Sequence, residues 1–113
     1  MELSIVIPAY NEEKYIGAAI ESVQKYGNGV CKEIIVVDNA STDRTVQIAN
    51  GYPGVRVVSE SKKGTGHARE RGFRESTGDV ICFIDADTRL RPASTRRVAR
   101  ALGDSLVGCI SGP

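Results

Sequence analysis

Two carboxylates separated by one small residue, Asp85 and Asp87 around Ala86, are the part of this sequence best suited to chemistry. They follow an apolar run at residues 80–84, which is typical of a buried strand. A buried strand fixes the backbone, so both side chains emerge at its carboxyl end in a defined orientation. Two ionised carboxylates this close repel each other, and an oxygen-seeking cation such as Mg²⁺ or Mn²⁺ relieves the repulsion. The pattern therefore predicts a divalent-metal and phosphate site.

Polar residues also follow the first two strand-like runs of the chain. Pro8 has a fixed φ angle, and the Tyr10 ring offers a flat amphipathic surface against which a base can lie. Asp38 can accept a hydrogen bond from an N–H group of such a base. Because the carboxyl ends of parallel strands meet at one edge of a sheet, we expect these residues to lie near Asp85.

The loop at residues 60–66 is rich in lysine and glycine and precedes a predicted helix. Its backbone N–H groups and those of the helix start can receive phosphate or ribose oxygens. Taken singly, the candidate residues have ordinary interpretations, because Pro8 and Asn11 suit a turn and a helix cap and Asp38 suits a turn. The lysines suit a solvated loop, and His67, the only histidine, suits a helix surface more than a catalytic base. Their position at a single edge is what favours a binding site.

Strand-like and helix-like segments alternate along the chain, which predicts an α/β fold with a mostly parallel, doubly wound sheet covered on both faces. Asn11 is predicted to cap the first helix, and Ser41 or Thr42 the second. The inward stripe of the third helix is predicted to comprise Ala68, Gly72 and Phe73. The predicted strands cover residues 3–7, 33–38, 55–58, 80–84 and 106–110, and the predicted helices cover residues 12–26, 43–50, 65–76 and 93–102.

Length and composition limit the kind of protein. A chain of 113 residues makes one domain, which buries roughly 65% of the surface that its unfolded form exposes. Lys and Arg total 15 against 14 for Asp and Glu, so no long-range field steers the chain toward nucleic acid or an anionic membrane. The three cysteines are odd in number and widely spaced, which is typical of small buried residues in a reducing compartment and not of a disulfide or zinc framework. With no leader and no membrane-spanning run of about 20 apolar residues, we expect a cytoplasmic location.

Four segments resemble family 2 glycosyltransferases in order and spacing, namely residues 4–12, 33–43, 63–69 and 78–87. The resemblance implies the Rossmann-like, nucleotide-sugar-binding part of a GT-A fold over residues 1–113, with Mg²⁺ or Mn²⁺ as the cofactor. By position it assigns Asp85 and Asp87 to the metal. The residues that it assigns to the nucleotide sugar are Pro8, Ala9, Tyr10, Asn11, Glu12, Asp38, Asn39, Lys63, Gly64, Asp85 and Ala86.

Two departures from the family pattern change what the resemblance implies. Many relatives carry Asp and Gly after the second strand, where this chain has Asn39 and Ala40, so Asp38 is the sole carboxylate there. The choice between uracil and guanine therefore stays open. Family members continue into an acceptor-binding half that supplies the catalytic base, whereas this sequence stops at Pro113, and Asp104 matches no family motif. We therefore expect a truncated domain without the acceptor half, and we assign no catalytic residue.

The resemblance implies a metal-dependent, inverting transfer of a sugar from a UDP- or GDP-linked donor to a hydroxyl of a lipid, polysaccharide or other glycan. The resemblance is also compatible with association of the protein with the cytoplasmic face of a membrane and with assembly into a homo-oligomer. The alternative is a non-catalytic module that binds the nucleotide sugar or the metal, or a fragment that lacks the catalytic base. A nucleotidyltransferase would carry a glycine- and arginine-rich loop after the first strand, and a dinucleotide-dependent oxidoreductase would carry Gly-x-Gly-x-x-Gly there, where this chain has Pro8, Ala9 and Tyr10.

Overall fold

The computed structural model describes residues 2–26, 31–86 and 109–111, in which strands and helices alternate as the sequence predicted. The predicted helix at residues 93–102 lies outside these ranges. None of the helices within them combines the length and the apolar character that crossing a bilayer requires. The strands are β1 (Leu3–Ala9), β2 (Cys31–Asp38), β3 (Val55–Ser59), β4 (Val80–Phe83) and β5 (Cys109–Ser111), and the helices are α1 (Ile16–Tyr26), α2 (Thr45–Asn50) and α3 (Thr65–Glu75).

The strands form one five-stranded sheet in the order β3-β2-β1-β4-β5. β1 pairs in parallel with both β2 and β4, and β2 pairs in parallel with β3, whereas β5 runs antiparallel to β4. The predicted α/β fold with a mostly parallel sheet is therefore confirmed. Successive strands first extend the sheet from β1 to β3, and β4 is then added on the other side of β1. The chain order reverses beside β1, which is where sheets of this kind bind ligands.

Both faces of the sheet are covered, which explains why its strands are continuous apolar runs. Side chains alternate along β1, so that Ile5 packs on one face with α1 and α2, and Val6 packs on the other face with α3. The predicted inward stripe of α3 is confirmed, because Ala68 and Gly72 are buried and Phe73 packs against the same cluster as Val6.

The cysteines differ from the prediction. Cys82 is disulfide-bonded, whereas Cys31 is a free thiol. The antiparallel register of β4 and β5 sets the Cα of Cys82 opposite that of Cys109. Spacing along the chain does not reveal such a register, and the expectation that no disulfide forms was therefore wrong.

A hydrogen-bond network around Glu33 joins β1, β2 and the turn before β4. The Ser4 hydroxyl donates to Glu33 Oε2 at 2.6 Å, and the Thr77 N–H and hydroxyl donate to the same oxygen at 2.6 and 2.9 Å. The Gly78 N–H donates in turn to Ser4 Oγ at 2.8 Å. Burial by itself raises the pKa of Glu33, but these hydrogen bonds to the ionised form outweigh it and hold the pKa below its usual value.

The lowered pKa of Glu33 predicts a stability that decreases in acid. A carboxyl group with a lowered folded-state pKa stabilises the protein above its unfolded pKa, here 4.5, and the contribution is lost as pH falls through the folded pKa. We expect Glu33→Gln to lower the free energy of unfolding by about 1–2 kcal/mol at neutral pH and by much less at about pH 3, measured by urea unfolding. The matched change Glu13→Gln, at an exposed side chain, should alter the free energy of unfolding by less than about 0.5 kcal/mol at either pH. An equal loss at both pH values would contradict a role for the Glu33 charge.

Candidate functional site

A cavity of about 340 Å³, which we name the edge cavity, opens at the carboxyl ends of β1, β2 and β4. Parallel pairing brings these ends together, because Ala9 at the end of β1 lies opposite Asp38 at the end of β2. Just beyond β4, the Ile84 N–H donates to the Val6 carbonyl at 2.9 Å. Polar residues that follow three different strands therefore meet at one edge. The edge cavity is lined by Pro8, Ala9, Tyr10, Glu12, Asn39, Thr65, Ala68, Asp85 and Ala86.

The predicted nucleotide-sugar residues divide into two groups. Pro8, Ala9, Tyr10, Glu12, Asn39, Asp85 and Ala86 line the edge cavity, and Asn11, Asp38, Lys63 and Gly64 do not. Asp87, the second predicted metal ligand, lies outside the described residues. The binding role of each residue stays a prediction, but the gathering of most of them around one cavity is a feature of the fold.

The Tyr10 ring contributes an aromatic surface to the edge cavity. It is 45% exposed and stands directly after the buried strand β1, with Pro8 and Ala9 beside it in the cavity lining. Lys63 Nζ lies 5.2 Å from the centre of the ring, which is a cation–π distance. The face of the ring that Lys63 does not cover can stack a nucleotide base, and the ammonium group adds positive charge for a phosphate.

The loop after β1 is tied to the loop after β2. The Thr42 N–H donates to Asn11 Oδ1 at 2.7 Å, and the Asn11 N–H donates to Ser41 Oγ at 2.9 Å. The Glu12 N–H donates to Thr45 Oγ1 at 2.9 Å. The prediction that Asn11 caps α1 is therefore wrong, since α1 begins one turn later. Asn11 adopts a φ of 52°, and its carboxamide serves the neighbouring loop instead.

The start of α2 also differs from the prediction. Arg44 stands at the N-cap position instead of Ser41 or Thr42, and it makes no side-chain cap bond. Asp43 Oδ1 accepts the Thr45 N–H at 2.9 Å and so satisfies a donor of the first turn. Ser41 and Thr42 are engaged with the loop after β1, and these contacts override the local capping preference.

The first turn of α3 adds Thr65 and Ala68 to the lining of the edge cavity. α3 has 11 residues, and Gly64 at its N-cap has a φ of 134° and makes no side-chain cap bond. The first N–H groups of a helix lack intrahelical partners and form the positive end of its dipole, so they favour an anion such as phosphate. The sequence pointed to the loop at residues 60–66 and to the start of this helix, but it did not assign Thr65 or Ala68 to the site. Their spacing of three, which puts both on one helical face, is the signal that could have found them.

The sequence matches the family model for Glycosyl transferase family 2 over residues 4–112. The chain belongs to glycosyl transferase family 2. The resemblance carried by the four sequence segments is therefore confirmed, and it extends beyond them to nearly the whole family 2 chain.

Three known proteins show what this family 2 chain is similar to. Dolichol-phosphate mannosyltransferase from Pyrococcus furiosus is 35% identical over 107 residues, which are 90% of this chain and 30% of that protein. The crystal structure of S. aureus TarS in complex with UDP-GlcNAc has a TM-score of 0.81 at 28% identity and covers 92% of this chain. Glucosyl-3-phosphoglycerate synthase from Mycobacterium tuberculosis, in complex with Mn²⁺, UDP and glucosyl-3-phosphoglycerate, has a TM-score of 0.73 at 35% identity and covers 95% of this chain.

These neighbours confirm the predicted GT-A fold of the family 2 chain. They are also much longer than the chain. It spans 30% of the mannosyltransferase, 32% of the TarS chain and 40% of the mycobacterial synthase chain.

Of the two predicted metal ligands of the family 2 chain, Asp85 and Asp87, the structure describes Asp85. Asp85 is exposed and lines the edge cavity together with Glu12. Within the described ranges, no group of three or more His, Cys, Asp or Glu side chains is placed to hold an ion by itself. Mg²⁺ is commonly bound through one or two carboxylates together with substrate phosphates and water, and Mn²⁺ prefers the same oxygen ligands. The carboxylates of the edge cavity fit a cation of this kind.

Proposed function

We propose that this family 2 chain binds a UDP-sugar together with Mg²⁺ or Mn²⁺ in the edge cavity. We further propose that the protein transfers the sugar, with inversion, to a hydroxyl of a glycan or a lipid-linked acceptor. One observation carries the proposal, namely that a single cavity gathers the exposed ring of Tyr10, the exposed carboxylate of Asp85 and the helix start at Thr65. These three kinds of group suit a flat base, a cation and a diphosphate, in that order.

Each group suits one part of the donor. The Tyr10 ring stacks the base, and Lys63 adds positive charge beside it. The first turn of α3, from Thr65, receives oxygens of the diphosphate. Asp85 holds the cation. A bound divalent cation supplies Lewis-acid stabilisation of the negative charge that develops on the departing diphosphate.

The relatives support uridine and a divalent cation. The TarS structure holds UDP-GlcNAc, and the mycobacterial synthase structure holds Mn²⁺ and UDP together with glucosyl-3-phosphoglycerate. The name of the archaeal relative, dolichol-phosphate mannosyltransferase, supports a lipid-linked acceptor. A cytoplasmic location, association with a membrane surface, a homo-oligomer and the assignment of residues 1–113 to the donor-binding part stay predictions.

The alternative is a module that binds the donor without turnover. This candidate predicts metal-dependent donor binding without sugar transfer.

Calorimetry with UDP-GlcNAc and GDP-mannose, each with and without Mn²⁺, tests the proposal. We expect Mn²⁺ to tighten the binding of UDP-GlcNAc, and we expect Tyr10→Ala to weaken it about fivefold or more, since stacking a base on an aromatic ring contributes about 1–3 kcal/mol. Tyr15→Ala is the matched control, because Tyr15 is 46% exposed but does not line the edge cavity.

The other outcomes separate the alternatives. Tighter binding of GDP-mannose would overturn the choice of uridine. Metal-dependent binding without transfer to any acceptor would favour the non-catalytic module, and no binding of either nucleotide sugar would refute the proposal.

A further inference from the structure

The side chain of Asn39 is occupied by the segment 60–64, which follows β3. Its Nδ2 donates to the Glu60 carbonyl at 2.9 Å and to the Lys62 carbonyl at 2.8 Å, and its Oδ1 accepts the Gly64 N–H at 2.9 Å. Asn39 itself is only 6% exposed. The buried carboxamide of Asn39 therefore forms hydrogen bonds with three residues of this segment, namely Glu60, Lys62 and Gly64.

The segment 60–64 supplies two features of the edge cavity. Lys63 lies between Lys62 and Gly64, which are both hydrogen-bonded to Asn39. Its Nζ is 5.2 Å from the centre of the Tyr10 ring. Gly64 is the N-cap of α3, whose first turn lines the cavity. A shift of the segment would therefore move both the cation beside the ring and the helix start.

The beginning of the segment has further contacts. The Glu60 N–H donates to the Asp38 carbonyl at 2.9 Å, and Glu60 Oε2 accepts the Lys62 N–H at 3.0 Å. Arg71 Nε donates to Glu60 Oε1 at 3.3 Å. The hydrogen bond from Lys62 and the ion pair with Arg71 keep the pKa of Glu60 below its usual value. None of these contacts reaches Lys63 or Gly64. The Gly64 carbonyl accepts the Ala68 N–H of α3 at 3.1 Å, and Asn39 Oδ1 accepts the Gly64 N–H and so ties this end of the segment to β2.

We propose that Asn39 is a positioning residue for the donor, which holds the segment 60–64 so that Lys63 and the start of α3 border the edge cavity. This inference rests on the proposed function. The sequence assigned Asn39 to the nucleotide sugar directly. Both N–H groups of its carboxamide are used within the protein, and Asn39 therefore has no donor left for a base or a ribose.

The substitution Asn39→Asp keeps the shape of the side chain and changes its hydrogen bonding with pH. An ionised carboxylate can only accept hydrogen bonds, so it has no proton to donate to the Glu60 and Lys62 carbonyls. Burial at position 39, where the wild-type residue is 6% exposed, disfavours the ionised form of the introduced carboxyl. Its protonated form can donate to one carbonyl and still accept the Gly64 N–H. The charged and titratable residues on the segments packed around position 39 are Glu12, Asp38, Glu60, Lys62, Lys63, His67, Arg71 and Asp85.

The first measurement requires no ligand. NMR hydrogen exchange gives the protection factor of the Gly64 amide in the wild-type protein, in Asn39→Asp and in Asn11→Asp. We expect Asn39→Asp to lose about tenfold or more of this protection at about pH 8 and to regain most of it at about pH 5.5. Asn11→Asp is the charge-matched control, because Asn11 Oδ1 accepts from Thr42 and a carboxylate can do the same. It should leave the protection of Gly64 unchanged.

The second measurement is the affinity for UDP-GlcNAc in Mn²⁺ at the same two pH values. We expect Asn39→Asp to bind about tenfold more weakly than the wild-type protein at about pH 8, and within about threefold of it at about pH 5.5. An equal loss of affinity at both pH values without a matching loss of Gly64 protection would indicate a general structural defect and would overturn the inference.

Two results separate this inference from the proposed function. Loss of Gly64 amide protection in Asn39→Asp with unchanged affinity for UDP-GlcNAc would refute the positioning role and leave the proposed function intact. Failure of the wild-type protein to bind UDP-GlcNAc would refute the proposed function, while unchanged Gly64 protection in Asn39→Asp would refute the inference by itself.

Discussion

Asp85→Asn is expected to weaken the Mn²⁺-dependent binding of UDP-GlcNAc about 100-fold, which corresponds to about 2.7 kcal/mol. Asp85 is exposed beyond the end of β4 and lines the edge cavity, so the substitution leaves the core in place. An amide oxygen carries no net charge to balance a cation that prefers ionised oxygen ligands. Calorimetry in Mn²⁺ and in EDTA measures the effect, and the two proteins should bind alike in EDTA. The sequence predicts that Asp87→Ala abolishes metal-dependent binding in the same way.

Asp79→Asn is the matched control for this experiment. Asp79 stands just before the other end of β4, where its Oδ2 accepts the Glu2 N–H at 3.0 Å. Its substitution should leave donor affinity unchanged in Mn²⁺ and in EDTA. Unchanged affinity of Asp85→Asn in Mn²⁺ would refute the metal role of Asp85. A loss of the same size in EDTA would show that Asp85 contacts the donor without a cation.

Gly72→Val is expected to lower the melting temperature by about 10–20 °C. A Cβ at Gly72 would lie 2.2 Å from Val6 Cγ1 and 3.3 Å from Val37 Cγ2, and both valines are fully buried beneath α3. Overpacking a core costs about 1–3 kcal/mol, and each kcal/mol lowers the melting temperature of a domain of this size by about 4–8 °C. Thermal unfolding followed by circular dichroism measures the change.

Gly66→Ala provides the control in the same helix. No atom lies within 4 Å of a Cβ built at Gly66. Because alanine exceeds glycine in helix propensity by about 1 kcal/mol, this change should leave stability unchanged or raise it slightly. If Gly66→Ala and Gly72→Val destabilise equally, contact with Val6 is not the reason for the glycine at position 72.

The elements that could be predicted from the sequence are those whose signal is local. The stripe of α3 repeats at helical spacing, and the predicted range of 65–76 differs from Thr65–Glu75 by one residue. The first strand was predicted at residues 3–7 and extends over Leu3–Ala9. The start of α1 was misplaced, because Asn11 has a common capping side chain whose partner, Thr42, belongs to another loop.

In the candidate site, too, features with a local signal could be predicted, and features that depend on tertiary packing could not. The amino-acid order alone places Tyr10 and Asp85 together, because both follow strands predicted to be parallel, and such strands end at one edge. Thr65 and Ala68 were missed as lining residues, since their contact with the edge cavity depends on how α3 packs across β1 and β2. The disulfide of Cys82 was missed for a similar reason, because it accompanies a strand register that spacing does not show.

The sequence by itself determined the layer architecture, the family and the edge at which ligand groups collect. The spacing of apolar residues, the order of strands and helices, and the residues that follow each strand can all be read from the order of the amino acids. Only the tertiary structure decided that Asn11 ties two loops together and that Asn39 holds the segment 60–64. A carboxamide can cap, turn or bind, and its role depends on which distant backbone groups the folded chain brings within hydrogen-bonding distance.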